Sequence, residues 1–291
     1  MEATPRHTPA EDSLMFIGTA TVLIRYAGIT VLTDPNFIHA GERVPLGYGL
    51  LSRRLTDPAL DIDQLPDLDA VVVSHYHGDH FDQVAREQLD RDVPLIAPPS
   101  AATALRRHGF REAEGLRTWS TTTIGGGGSQ LQVTALPGRH APRLLSPLFP
   151  AVMGSLLEFT PVGGARPLRV YVTGDTLLSD DLTTIRDRVG PIDLALVHLG
   201  GTRIAGLKLT MDGADGVEAL RRIRARTAVP IHYDDYPVFR SPLSDFQTAV
   251  AEAGLDGEVR YVARGETMPL VFEPTDMEIS VGAVRAAVGD S

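Results

Sequence analysis

Seven consecutive positions, Ser74-His75-Tyr76-His77-Gly78-Asp79-His80, hold three imidazoles and a carboxylate. These donor types suit zinc and its borderline neighbours. The apolar, β-branched run at 70–73 precedes them, the pattern of a buried strand that delivers its next residues into a loop at a sheet edge. On extended backbone His75 and His77 project to the same side. A turn at Gly78 then carries Asp79 and His80 to a second point, so one short loop can serve two adjacent metal ions. The alternative is a solvated loop that happens to be rich in histidine. Against it, the chain has nine histidines in 291 residues, and three of them fall here.

Further donors stand at the ends of other apolar runs. His140 follows the run at 130–136, Asp175 follows 168–173 beside a glycine that permits close approach, and His232 follows 228–231. Together His75, His77, Asp79, His80, His140, Asp175 and His232 supply five imidazoles and two carboxylates. That is enough for two metal sites with three or four protein ligands each and water in the open positions. Two divalent ions roughly 3.5–4 Å apart can hold a bridging hydroxide at neutral pH. Zinc leads, and manganese or iron accept the same donors. Asp34, in Asp34-Pro35 at the exit of 29–33, reads equally as a buttress for a ligand histidine or as a turn-initiating pair. His198, near the end of 192–199, reads as a group that contacts substrate or protonates a leaving group, or else as a hydrogen-bonded structural histidine. His39 and His108 have bland explanations, a surface position and a helix C-terminus.

The elements that must position these donors follow from periodicity. Runs at 14–17, 20–26 and 29–33 predict strands, with a hairpin turn at Ala27-Gly28. Further strands are expected at 94–97, 116–123, 130–136, 155–160, 168–173, 192–199, 228–231, 259–262 and 268–271. Helices are expected over 81–89, from Ser100 to near Gly109, and over 180–188, 212–226 and 242–253. The segment 36–68 has no sustained period and reads as an irregular excursion of the kind that covers active sites. The stretch 141–150 is apolar but broken by three prolines, so it reads as a loop that either plugs the core or, the favoured reading, forms one wall of a substrate pocket. The glycines at 125–128 read as a flexible turn. Tyr233, Asp234, Asp235 and Tyr236 either line the mouth of the site or are ordinary loop residues. The expected organisation is a flexible arm at 1–13, one catalytic domain over 14–272 and a tail at 273–291 that can dock as a helix.

Bulk properties narrow the chemistry. A net charge of −10 disfavours nucleic-acid partners. The complete lack of cysteine excludes disulfides, thiol nucleophiles and thiolate ligands, so a metal must be held by His, Asp, Glu and water. The first residues carry no apolar signal-like run, and no apolar run approaches the roughly 18 residues of a membrane span. A cytoplasmic protein acting on a small molecule is the expectation, with oligomeric state left open.

The seven-residue constellation, His75-x-His77-x-Asp79-His80 followed by His140, Asp175 and His232, resembles the metallo-β-lactamase superfamily over about 14–270. Finer features, at 16–24 (FIGTATVLI), 32–35 (LTDP), 174–176 (GDT) and 230–233 (PIHY), resemble its ascorbate-6-phosphate lactonase-like and N-acylphosphatidylethanolamine phospholipase D-like branch. The resemblance implies an α/β (α+β) fold, a four-layer αββα sandwich with the site at one edge of two facing sheets. It implies His75, His77 and His140 on one metal, Asp79, His80 and His232 on the second, and Asp175 bridging. Asp79 would also accept a hydrogen bond from the nucleophilic water, and Asp34 would orient ligands. Departures are informative: several true β-lactamases use a cysteine ligand that is absent here, and His77 stands where a di-iron oxygen-reducing branch has glutamate. The long insertions of the ribonuclease branches are not evident. The implied activity is metal-dependent hydrolysis of a small ester, lactone, amide or phosphodiester by metal-bound hydroxide. The alternatives are a lipid-type phosphodiesterase and a biosynthetic enzyme that uses the metals for cyclisation or elimination.

Overall fold

Strand residues of the N-terminal half alternate between two apolar environments. Leu14, Phe16, Val22, Ile24, Val31, Val72 and Ile96 join one core, while Ile17, Leu23, Leu32, Val71, Leu95 and Ala97 join another. That period of two is what a sheet buried on both faces imposes. The computed structural model describes residues 11–47, 49–125, 128–142, 149–204 and 206–271. Residues 1–10 of the expected arm, the tail, two of the turn glycines and positions 143–148 of the apolar loop lie outside the described residues.

The first sheet has the order Thr267–Pro269, Ser13–Gly18, Thr21–Tyr26, Ile29–Thr33, Ala70–Val72, Leu95–Ala97, Ala113–Gly115. Pairing is antiparallel up to Ile29–Thr33 and parallel beyond it. The second sheet runs Thr227–Ile231, Leu194–His198, Leu168–Val172, Met153–Thr160, Gln130–Pro137, Thr121–Ile124. Its first three strands are parallel, the rest antiparallel. Leu131, Val133 and Val170 of the second sheet meet Leu14, Phe16 and Val22 of the first in one core between the sheets. Helices Gln83–Gln88 and Pro99–Arg107 cover the other face of the first sheet through Ala85, Ala101, Ala102 and Leu105. Helices Asp181–Val189, Gly213–Ile223 and Leu243–Ala253 cover the second sheet with residues such as Ile185, Leu220 and Phe246. The result is the expected four-layer αββα sandwich. No helix among the described residues is long and apolar enough to cross a membrane.

Three expectations about elements change. The run at 116–123 is not one strand: Ala113–Gly115 closes the first sheet, Thr121–Ile124 starts at the edge of the second, and 116–120 cross between them. Trp119 turns that crossing with φ of 70° and donates its N–H to Ala135 O at 2.7 Å. The expected strand at 259–262 forms only a bridge at Val259 to Ala228, because Val259 and Val262 gain their burial by packing rather than by a ladder. The excursion at 36–68 contains a hairpin, Arg43–Pro45 with Leu51–Arg53, and a short 3-10 turn, Ile62–Gln64. Strands of three residues are too short to show a period.

Candidate metal centre

Parallel strands expose their carboxyl ends at one edge of the sandwich, and the polar residues gather there. His75, His77, Asp79 and His80 follow Ala70–Val72, and Asp34 follows Ile29–Thr33. From the second sheet, His140 follows Gln130–Pro137, Asp175 follows Leu168–Val172, His198 ends Leu194–His198, and His232 follows Thr227–Ile231. The structure brings the donor atoms of His75, His77 and His140 within 4.8 Å of one another, and does the same for Asp79, His80, Asp175 and His232. His75 Nε2 lies 3.0 Å from His77 Nδ1. In the second group His80 Nε2 is 3.3 Å from Asp175 Oδ2, and His232 Nε2 is 3.5 Å from Asp175 Oδ1 and 3.7 Å from Asp79 Oδ2. Asp175 Oδ2 also stands 4.0 Å from His75 Nε2, so this carboxylate lies between the two groups.

These spacings fit metal ions. Two nitrogens each about 2.0–2.1 Å from a tetrahedral zinc stand about 3.3 Å apart. Asp79 Oδ1, His80 Nε2, Asp175 Oδ1 and His232 Nε2 are buried without a hydrogen-bond partner, a costly state that a shared cation relieves. The outward ring nitrogens are engaged. His140 Nδ1 faces Asp175 O at 3.2 Å, His232 Nδ1 faces Leu199 O at 3.3 Å, and His75 Nδ1 faces Ser74 Oγ at 3.1 Å. His80 Nδ1 is 3.2 Å from both Ser74 Oγ and Asp34 Oδ2. A proton held on Nδ1 in this way leaves the Nε2 lone pair for a metal. His77 is turned the other way, presenting Nδ1 to His75 while its Nε2 abuts Gly47.

The two groups differ electrostatically. Burial, reinforced by neighbouring imidazoles, holds His75 well below the usual histidine range. Burial likewise brings His77 down to about 4 and lowers His140. In the second group burial again opposes charge on His80, but Asp175, Asp34 and Asp79 override it and raise the imidazole well above its ordinary value. Burial opposes charge on His232 too, and Asp175 and Asp79 overcome it to raise that group. Burial would raise the Asp175 carboxyl, yet His232 and His80 hold it well below the usual range, and His80 and His232 act on Asp79 in the same sense. One group is a neutral imidazole cluster; the other is an ionic network.

The family pattern of a β-lactamase superfamily domain matches residues 30–233. The chain belongs to the β-lactamase superfamily. Within it, a metal-dependent hydrolase of Deinococcus radiodurans is 31% identical over 69% of this chain and 80% of its own length. The N-acyl-phosphatidylethanolamine-hydrolyzing phospholipase D 1 of Caenorhabditis elegans is 28% identical over 77% of this chain and 64% of its own length. Among solved structures, one described as a possible metal-dependent hydrolase from Veillonella parvula has a TM-score of 0.76 at 21% identity, covering 90% of this chain and all 100% of that one. Within that superfamily the chain is a metal-dependent hydrolase.

Around the superfamily site lie residues that the sequence did not mark as a unit. Asp235 is fully buried, accepting Thr19 N–H at 2.7 Å and Arg264 Nη2 at 3.0 Å, with Thr56 Oγ1 as a further donor. Arg54, also fully buried, donates Nη1 to Asn36 O at 2.8 Å and Ile38 O at 2.9 Å. Asn36 Nδ2 donates to Gly78 O at 3.0 Å, and Tyr236 donates its hydroxyl to Asn36 Oδ1 at 3.0 Å. Tyr233 and Tyr236 are therefore buried supports rather than a mouth, while Asp234 is half exposed. These bonds tie the excursion to the turns after His77 and His232. Gly78 N donates to Pro45 O at 2.9 Å, and a Cβ at Gly78 would meet that oxygen at 2.8 Å, so the hairpin seats directly on the histidine loop. Backbone conformations there are unusual: Thr19, Asp34 and His232 have φ of 52°, 37° and 64°. Such left-handed residues persist where surrounding bonds over-determine them, and they cluster at functional sites. His198 has no exposed surface and lies behind His80, with ring centroids 5.9 Å apart, rather than on an open wall.

Proposed function

We propose that the chain is a dinuclear hydrolase of small esters, lactones, amides or phosphodiesters. On this reading His75, His77 and His140 would hold one ion, Asp79, His80 and His232 would hold the other, and Asp175 would serve both. The observation that carries this reading is the position of Asp175, whose two oxygens reach histidines of both groups. Divalent ions there supply a Lewis acid for the scissile carbonyl or phosphoryl group and a hydroxide nucleophile at neutral pH. Asp79, with Oδ2 near His232 and Oδ1 unpartnered, orients the attacking water and accepts its proton. Asp34 holds His80 in register. Phe239, whose ring centroid is 4.3 Å from that of His232, and Phe149, 6.1 Å from His140, give the site apolar flanks suited to a substrate with some apolar surface. Zinc suits this all-His/Asp donor set, and manganese or iron are accommodated by the same donors. Metal analysis with His77→Ala and Asp79→Asn assayed against lactone and phosphodiester panels tests the reading. Full hydrolysis by both variants would overturn it.

A second reading, hydrolysis of a lipid phosphodiester, draws support from the hairpin above His77. Leu50 and Leu51 at its tip are 39% and 65% exposed, and Leu55, past its open end, is 46% exposed. The similarity to the Caenorhabditis elegans phospholipase points the same way. Turnover of N-acylphosphatidylethanolamine in mixed micelles supports this reading, and turnover confined to small soluble lactones removes it.

A further inference from the structure

We propose that His198 is a positioning residue for the second ion: it fixes the Asp34 carboxylate, and through it holds His80 with Nε2 directed at that ion. The inference rests on the dinuclear reading above. His198 is fully buried, and its ring nitrogens face Thr173 and Asp34 rather than the donor atoms of Asp79, Asp175 and His232. Its own surroundings define its tautomer. The Thr173 hydroxyl oxygen accepts the His198 backbone N–H at 3.0 Å and stands 3.2 Å from His198 Nδ1. Nε2 faces the Asp34 carboxylate, which can only accept, and this places the ring proton on Nε2; Nδ1 is then left to take the one proton of the Thr173 hydroxyl, for which Gly174 O at 3.1 Å is the competing acceptor. His198 Nε2 faces Asp34 Oδ2 at 3.5 Å and has no other polar partner, while Oδ2 also meets His80 Nδ1 at 3.2 Å.

Asp34 is thereby contacted on three sides. Its Oδ1 accepts the Ser74 N–H at 2.7 Å, and its Oδ2 lies between His80 Nδ1 at 3.2 Å and His198 Nε2. The arrangement joins the two sheets: Asp34 and His80 leave strands of the first, Thr173 and His198 belong to the exits of the second. Without the donor on His198, one side of the carboxylate loses its only facing partner, and Oδ2 is free to rotate away from His80. His80 can then carry its proton on either nitrogen, and the tautomer with Nε2 protonated cannot bind a metal. Outer partners of metal ligands commonly change affinity by about 10–100-fold. The first group meets this network only through the Ser74 hydroxyl at His75 Nδ1, so the larger effect falls on the second ion.

The test is chelator competition on the purified protein, measuring the affinity of each ion for the wild type, His198→Leu, His198→Gln and Thr173→Val. The expected result is a loss of about tenfold or more for one ion in His198→Leu, with the other ion within about twofold of wild type. His198→Gln retains an N–H donor near the Nε2 position and recovers most of the loss. Thr173→Val, which removes the hydroxyl facing His198 Nδ1, gives a smaller loss at the same ion. If His198→Leu fails to fold, the comparison of His198→Gln with Thr173→Val decides: equal, wild-type binding in both overturns the proposal. A folded His198→Leu that binds both ions as wild type overturns it, as does a His198→Gln variant as impaired as His198→Leu. A wild type that binds a single ion overturns the dinuclear reading itself, a result distinct from any of these.

Discussion

The two donor groups differ more in charge than in geometry. His75, His77 and His140 form a cluster of neutral rings whose burial keeps protons off, whereas His80 and His232 are wrapped by Asp79, Asp175 and Asp34 and hold protons tightly. A metal entering the first group finds bare lone pairs. A metal entering the second must displace protons, and then finds carboxylate charge already in place. The contrast teaches that donor groups a few ångströms apart can meet an incoming ion with different charge and different protons and, on the proposed dinuclear reading, that the first group loads without the second.

The largest effect expected is from removing both ions. Dialysis against a strong chelator abolishes hydrolysis and lowers the thermal midpoint, because a ligand at 100 times its dissociation constant stabilises by about 2.7 kcal/mol per site. Restoring zinc, manganese or iron separately and following turnover shows which ion serves. Next in size are single-ligand changes. His77→Ala and His232→Ala each reduce metal content from two ions to one, with the surviving ion in opposite groups. Loss of both ions from either variant would break the claim that the groups load independently.

pH sharpens the comparison. Because His80 and His232 are raised in the ion-free protein, affinity for the second ion falls as pH is lowered, by about tenfold per unit for each proton displaced. Because His77 stays neutral down to about 4, affinity of the first group is flat across the same range. The ion-free fold responds with opposite signs from the two groups. The lowered histidines make the unfolded chain the better proton acceptor, so they cost stability as pH falls below about 6.5. The raised pair contributes stability that is present below about 6.5 and lost as pH rises through their folded values. Urea titrations of chelated protein from pH 5 to 8, with and without His80→Gln, separate the two contributions. The smallest effect is expected from Gly47→Ala. Its φ of 80° costs an alanine about 1–2 kcal/mol, and the added Cβ would stand 2.9 Å from His77 Nε2. A few-fold loss confined to the first ion, read by chelator competition, is the outcome.

The donor set was legible in the sequence because histidine and aspartate at the end of an apolar run have few other reasons to be there. The sandwich was legible because alternation at 14–24 and unbroken apolar runs at 70–73 and 192–199 have little other use. The support of the site was hidden. Asp235 holds Thr19 across 216 positions, and Asn36 meets Tyr236 across 200, so no local pattern pairs them. Arg54 looks like half of a surface Arg-Arg pair until its guanidinium is seen closing the carbonyls of 36 and 38. The sheet change at 116–124 was hidden for a related reason. Its residues, rich in threonine, are strand-prone on both sides of Trp119, and only the left-handed turn there reveals that the chain has left one sheet for the other.

Thr19 carries one more consequence. Its carbonyl accepts His232 N–H at 2.7 Å, its N–H is held by Asp235, and its hydroxyl reaches Asn36 at 3.2 Å, all from a β-branched residue at φ 52°. A residue at ease in that conformation would relax the backbone but surrender the hydroxyl bond and its grip on Asn36. A glycine at position 19 therefore trades backbone strain against one of the three bonds that fix the peptide on which His232 hangs.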